Sequence, residues 1–312
     1  MRTAAAGLIL LLAACAGSSG TAPPHPTPTA VASFRVGAPV GLAVAAGQVW
    51  AASSDTGTIV GRDVATGRLT HTVQVGPTPL RVLAAGGLVW VSVFGAGRVR
   101  AVDPESGRVV RDVAVPGQPE GLAAGFGSIW VVRQAARLLT RISPAGRVMQ
   151  SQPLGSEPRL VTTSTRSVLV SDFRDGTLNR IDPASGRRVV SARLCDGPQG
   201  LAAAGTTVWV ACTTDGRLLA VDEGTLHITA RLPLSGEPDA VRVVSGRLFV
   251  AATEGPTVYE MSADPAAPRI LRRQPLGRAY ALRDQANVDL AVAGGRVWVS
   301  SFSEGRVAVA PG

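Results

Sequence analysis

The chain has no lysine: all 31 of its basic residues are arginine, set against 22 acidic residues for a formal charge of +9. These arginines are spread along the chain. A phosphate-binding surface gathers its cations beside aromatic platforms. Here the five Trp, two Tyr and six Phe are sparse and recur at strand-like positions, so nucleic acid is not an expected partner. Charged residues make up only 17% and hydrophobic ones 46%, which excludes a disordered, solvating chain. Three histidines and three cysteines are too few and too scattered for zinc spacing. There is also no Ser-His-Asp order and no Gly-rich phosphate loop. The longest apolar run, Ala4 to Ala14, falls short of the ~20 residues that span a bilayer. All-arginine usage in an Ala-, Gly- and Val-rich chain is that of a GC-rich genome.

The N-terminus reads as an address. Met1 and Arg2 lead into an apolar stretch containing Leu8, Ile9, Leu10, Leu11 and Leu12, the length of a secretory signal core. The segment Leu12-Ala13-Ala14-Cys15 resembles a bacterial lipobox, which implies cleavage after residue 14 and acylation of Cys15. Residues 15–30, with Pro23, Pro24, Pro26 and Pro28, cannot build a core and read as a tether in which His25 is solvated. The expected location is therefore extracytoplasmic, lipid-anchored to the cell membrane through Cys15. The basic charge also favours anionic headgroups.

From Val31 to Gly312 the chain is periodic. Apolar strands centred on Trp50, Trp90, Trp130, Leu169, Trp209, Phe249 and Trp298 recur, almost all about forty residues apart. Each unit runs through a Gly/Pro turn, a small-residue strand such as Gly200 to Ala204, a Gly turn and a Val-Trp-Val strand. Two further strands follow, separated by a turn such as Asp182 to Arg187. Four short antiparallel strands per unit predict an all-β, seven-bladed β-propeller over residues 31–312. The Trp series is assigned to the packing between blades. The last unit stops after its third strand, and Val31 to Val36 is left over at the start. Those residues are expected to supply the missing outer strand and close the ring.

The repeated Pro-x-Gly-Leu-Ala, Val208-Trp209-Val210-Ala211 and Asp215-Gly216-Arg217-Leu218-Leu219-Ala220-Val221-Asp222 resemble the YVTN-type repeats of YncE-like propellers. Two enzyme propellers show weaker likeness. Streptogramin lyase would need a paired His and Glu, but His71 and His227 fall on outer strands. Quinone-dependent dehydrogenases share Asp-x-x-Ser/Thr-Gly-Arg, as in Asp63 to Arg68, but place their Trp after that turn.

In a propeller the loops joining strand d to a and strand b to c meet around one channel mouth. The residue after each repeat's proline then gives Val40, Leu80, Glu120, Arg159, Gln199 and Asp239, with Asp289 one step on in the last unit. The mouth is expected to be polar over blades three to seven. The b-to-c loops add Asp55, Arg133, Asp172, Arg174 and Glu254. A longer last d-to-a connection, Arg278 to Val288, adds Tyr280, Arg283, Asp284, Gln285 and Asn287, and either lines a site or fills the mouth. Glu120, Asp239, Asp284 and Asp289 are candidates to converge, with Arg159 and Arg174 to hold an anion. Asp63, Asp103, Asp182 and Asp222 are read as turn caps, not metal ligands. With Cys15 acylated, Cys195 and Cys212 form an even pair in an oxidising compartment, and a disulfide between blades four and five is expected.

The function expected is non-catalytic: a monomeric, membrane-anchored propeller binding a protein, glycan or small ligand through its loop face, without metal or cofactor. The alternative is a mouth-sited enzyme, a lyase, a lactonase-like hydrolase or a quinone-dependent oxidoreductase. Only that reading calls for a metal or quinone cofactor.

Overall fold

Short runs rich in Val, Ala and aromatic residues, each stopped by a Gly turn, favour strands that pair with their sequence neighbours. In the computed structural model, which describes residues 33–253, 256–277 and 288–312, they form seven four-stranded antiparallel sheets. Blade one consists of strand a (Pro39–Ala45), b (Gln48–Ser53), c (Thr58–Asp63) and d (Leu69–Gln74), and five more blades repeat the order. The protein is a seven-bladed propeller. Among the described residues the one helical element is a 3-10 turn, Phe94–Ala96.

The core lies between the blades. Trp50 packs with Val82, Val89 and Val91 of the following blade, and Trp90 with Ile129 and Val131 of the next. The pattern continues round the ring to Trp298, which packs with Leu42, Val49 and Ala51 of blade one. Leu169 and Phe249 fill the same place in blades four and six. The five strand-b tryptophans are at most 2% exposed. Their indole N–H groups need partners when buried, and those of Trp90, Trp130 and Trp298 donate to Ala85, Gly125 and Ala293 carbonyls. Seven such clusters, one between each pair of neighbouring blades, supply the hydrophobic stabilisation.

Blade seven has strands a to c at Leu290–Ala293, Arg296–Ser301 and Arg306–Pro311. Phe34–Arg35 takes the outer place, with Phe34 opposite Val307 and Arg35 opposite Arg306. The ring is closed as expected, with a shorter strand than the Val31 to Val36 run suggested. Flanking bonds extend the seam: Val36 N–H donates to Gly305 O, and Val309 N–H to Ser33 Oγ. The Phe34 ring lies 6.2 Å from Trp298, and the Arg62 guanidinium stacks 4.2 Å above it.

The d-to-a and b-to-c loops form the upper face. The a-to-b and c-to-d turns form the lower one.

Candidate functional site

The throat of the channel is built by a repeated irregularity. In blade one Pro39 faces Ser53, but Leu42 faces Ala51, so one extra residue is inserted after the proline. Blades two to six show the same shift. Such bulges bend the strand and re-aim its side chains, here into the channel. Gly41, Gly121 and Gly200 sit at the bulge because the neighbouring blade's backbone presses against them. A Cβ there would stand 2.5 Å from Leu80 O, 2.6 Å from Arg159 O and 2.2 Å from Asp239 O. At the same position of blades two, four and seven a strand-b serine meets the backbone N–H: Ser92 for Arg81, Ser171 for Leu160 and Ser300 for Asp289.

These bulges present a chain of charges running from the surface inward. Exposed Arg174 pairs with Glu157 at 3.2 Å, Glu157 with Arg159 at 3.4 Å, Arg159 with Glu120 at 3.3 Å, and Glu120 with Arg81 at 4.0 Å. Glu120 and Asp239 are each 3% exposed. Burial pushes both carboxyls above the usual range; Arg159 and Arg81 pull Glu120 back, and Arg81, the Val288 N–H and Arg159 pull Asp239 back. Each carboxylate also raises or is raised by a neighbour, Asp239 acting on Glu120 and Asp289 on Asp239.

The remaining bonds tie blade to blade. Asp239 Oδ2 accepts the Val288 N–H at 2.9 Å, linking blades six and seven. Asp289 accepts the Leu42 N–H at 3.0 Å through Oδ2 and Arg242 at 2.6 Å through Oδ1, joining blades six, seven and one. A general base must reach the proton it abstracts. Glu120, Asp239 and Asp289 are instead buried and paired. Among the described residues no three His, Cys, Asp or Glu side chains form a metal-ligating group. Gln199 is also buried in the throat, and its Oε1 carries no hydrogen bond, nor does Arg81 Nε.

Other sequence candidates lie elsewhere. Val40 is a buried apolar wall. Asp172 sits beneath the loop before Pro158, its Oδ1 accepting the N–H groups of Glu157 and Asp175, and Arg174 lies on the surface outside the throat. Asp55 accepts the Ala38 N–H and the Ser53 hydroxyl, and Arg133 donates to Pro116 O. These are loop-fixing contacts. Blade two is not apolar at the mouth: beside Leu80 stands buried Arg81, because the bulge turns the second residue after the proline inward. Asp63, Asp103, Asp182 and Asp222 each accept a backbone N–H and a hydroxyl from their own turns. His71 stacks on Trp50 in an outer strand, whereas His227 occupies the c-to-d turn just before one, both remote from the throat. Cys15, Glu254, Tyr280, Arg283, Asp284, Gln285 and Asn287 fall outside the described residues.

Arg81, Glu157 and Arg242 are the throat residues that a proline-plus-one rule misses. Their signal is departure from the repeat: Arg81 stands where blades one, three and five have Gly, and Arg242 where other units have Ala, Leu or Thr.

Cys195, just past strand d of blade four, is bonded to Cys212 at the end of strand b of blade five, with Cα atoms 6.1 Å apart. The corresponding positions between blades one and two are Gly76 and Val93, where a Cβ on Gly76 would stand 3.3 Å from Val93 Cγ1. Below the throat lies a cavity of about 490 Å³, lined by residues such as Leu42, Val82, Leu122, Val161 and Leu201.

Comparison with known proteins follows this geometry. A protein-family profile described as outer membrane protein assembly factor BamB matches residues 28–225. The chain belongs to this family. No curated protein matches it significantly. Among solved structures, a streptogramin B lyase superposes on this BamB-family chain with a TM-score of 0.75 and 14% identity, covering 89% of this chain and 95% of the other. A catalytically inactive virginiamycin B lyase from Staphylococcus aureus with quinupristin gives 0.75 and 16%, over 89% and 97%. Hydrazine synthase of Kuenenia stuttgartiensis gives 0.76 and 14%, over 95% and 99%. At these identities the likeness is one of fold.

Proposed function

We propose that the protein is a non-catalytic, extracytoplasmic propeller, anchored through an acylated Cys15, that engages a macromolecular partner across its upper loop face. Its repeats read as those of a YncE-like member of the wider propeller group. The observation that carries the reading is the state of the throat. Glu120 is held between Arg81 and Arg159, and Asp239 and Asp289 cap N–H groups of the following blades. Acid–base chemistry needs a group whose proton can be exchanged with a substrate, and these carboxylates serve the ring instead. The family profile, named for an assembly factor, supports a binding role.

Two measurements on the full chain test it. Photo-crosslinkers placed at Arg174 and Asp55 in cells should give one discrete protein adduct, unchanged when Glu120 is replaced by Gln. A thermal-shift screen against metals, redox cofactors, sugars and small metabolites should give no saturable rise, since any ligand of the native state raises the melting temperature by mass action. A saturable shift that disappears in a Glu120→Gln, Asp239→Asn chain overturns the proposal in favour of a small-molecule site.

A further inference from the structure

The lower face carries a second repeated feature that the throat does not use. At the c-to-d turn, five of the seven blades place an exposed arginine directly before exposed apolar residues at the start of strand d. The pairs begin at Arg68-Leu69, Arg108-Val109, Arg147-Val148, Arg188-Val189 and Arg269-Ile270. Val110, Met149 and Leu271 extend three of them. These apolar side chains are 39% to 54% exposed, although edge strands normally carry polar residues there.

The arginines are available. Among the described residues, Arg68, Arg108, Arg147 and Arg269 form no ion pair. Asp63, Asp103 and Asp182 of the same turns point into their own turns and bond Thr66, Ser106 and Ser185, while Glu105 is an exposed acid beside Arg108 that leaves the rim basic in net charge. Basic heads over apolar stems, set around a rim, match a surface that is anionic at headgroup level and apolar just beneath. The path of the chain agrees. Ser33 meets Val309, one strand end from Gly312, which itself bonds Gly295 in an a-to-b turn. The described chain therefore enters the propeller at this face, the same side as the arginine–apolar rim.

We infer that the lower rim docks on an anionic phospholipid surface, leaving the upper face turned away from the membrane. The docking uses the rim's own side chains and does not depend on what the upper face binds, so either idea can fail without the other.

The test uses the mature chain, residues 15–312, carrying Cys15→Ala, so that neither the apolar signal segment nor an acyl chain contributes. Its sedimentation with phosphatidylglycerol/phosphatidylcholine vesicles is compared with that on pure phosphatidylcholine. Binding should require the anionic lipid and weaken with salt. Arg108→Ala with Arg147→Ala should weaken it about thirty-fold, from the contribution of each juxtamembrane arginine. Met149→Ser with Leu271→Ser should weaken it on the same vesicles. The control pair Arg174→Ala with Arg193→Ala removes the same charge from the upper face and should leave binding nearly unchanged. Melting curves confirm that each variant is folded. Equal partition onto neutral vesicles, no partition at all, or equal losses from the two arginine pairs would each overturn the inference.

Discussion

The Asp289 carboxylate accepts the Leu42 N–H at 3.0 Å across 247 residues of sequence, so the ring is closed from inside the channel as well as at its outer seam. The same carboxylate holds Arg242 at 2.6 Å. Asp289→Ala strands a buried N–H and a guanidinium together, and a loss of about 3 kcal/mol is expected in urea unfolding. Asp289→Asn keeps an acceptor for Leu42 and should cost less than the alanine variant. Equal costs for the two would show that the N–H bond contributes nothing.

At the outer seam, Phe34 sits between Trp298 and the Arg62 guanidinium. Phe34 is half-buried, so Phe34→Ala should lower stability by about 2 kcal/mol, below the range for a fully buried ring. Removing Ser33 to Val36 should cost more still, while removing part of residues 16–30 should leave the melting temperature unchanged. A deletion of Ser33 to Val36 that melts like the parent chain refutes closure by this strand.

The bond between Cys195 and Cys212 closes a loop of 17 residues. Reduction should cost about 3 kcal/mol on the chain-entropy account. Thiol labelling of the unreduced chain should leave both cysteines unmodified. The double variant Cys195→Ala, Cys212→Val should recover part of the loss, because Val93 already packs in the core at the place equivalent to Cys212, and a Cβ at Gly76, the place equivalent to Cys195, would lie 3.3 Å from it.

Glu120 and Asp239 predict an uncommon pH dependence. Burial raises both carboxyls in the folded ring, so the native state binds protons where the unfolded chain, with carboxyl pKa values of about 4, has released them. Their contribution to stability is greatest below the unfolded value and declines as pH rises through the raised native values. Asp239→Asn should therefore flatten the fall in melting temperature over that interval. An unchanged slope would mean that Asp239 titrates as an ordinary carboxylate.

Repetition made the architecture legible. The spacing of Trp50, Trp90, Trp130, Leu169, Trp209, Phe249 and Trp298 counted the blades, and the leftover strand near Phe34 located the seam, because both depend only on local patterning. The throat was legible only in part. Repeat position placed Glu120, Arg159, Gln199 and Asp239 in one ring, but not which of them pair, since the partners come from different blades. Arg81 escaped because a bulge decides whether the first or the second residue after a proline faces the channel, and alternation along a strand carries no mark of that shift. Asp172 and Arg174 share the upper face with the throat, yet loop geometry turns them to Glu157 and its neighbours.

The seam has a mechanical meaning. Blade seven is joined to blade one by Asp289 and by the packing of Trp298, but its outer strand is held by a backbone ladder only two residues long, Phe34 against Val307 and Arg35 against Arg306. Any load carried through the chain ahead of Ser33 falls on that ladder first and runs along the strand axis, so its few bonds are strained together and not one after another. A propeller tugged from this side would yield as a clasp opens, by slipping one short strand, with all six complete blades still folded behind it.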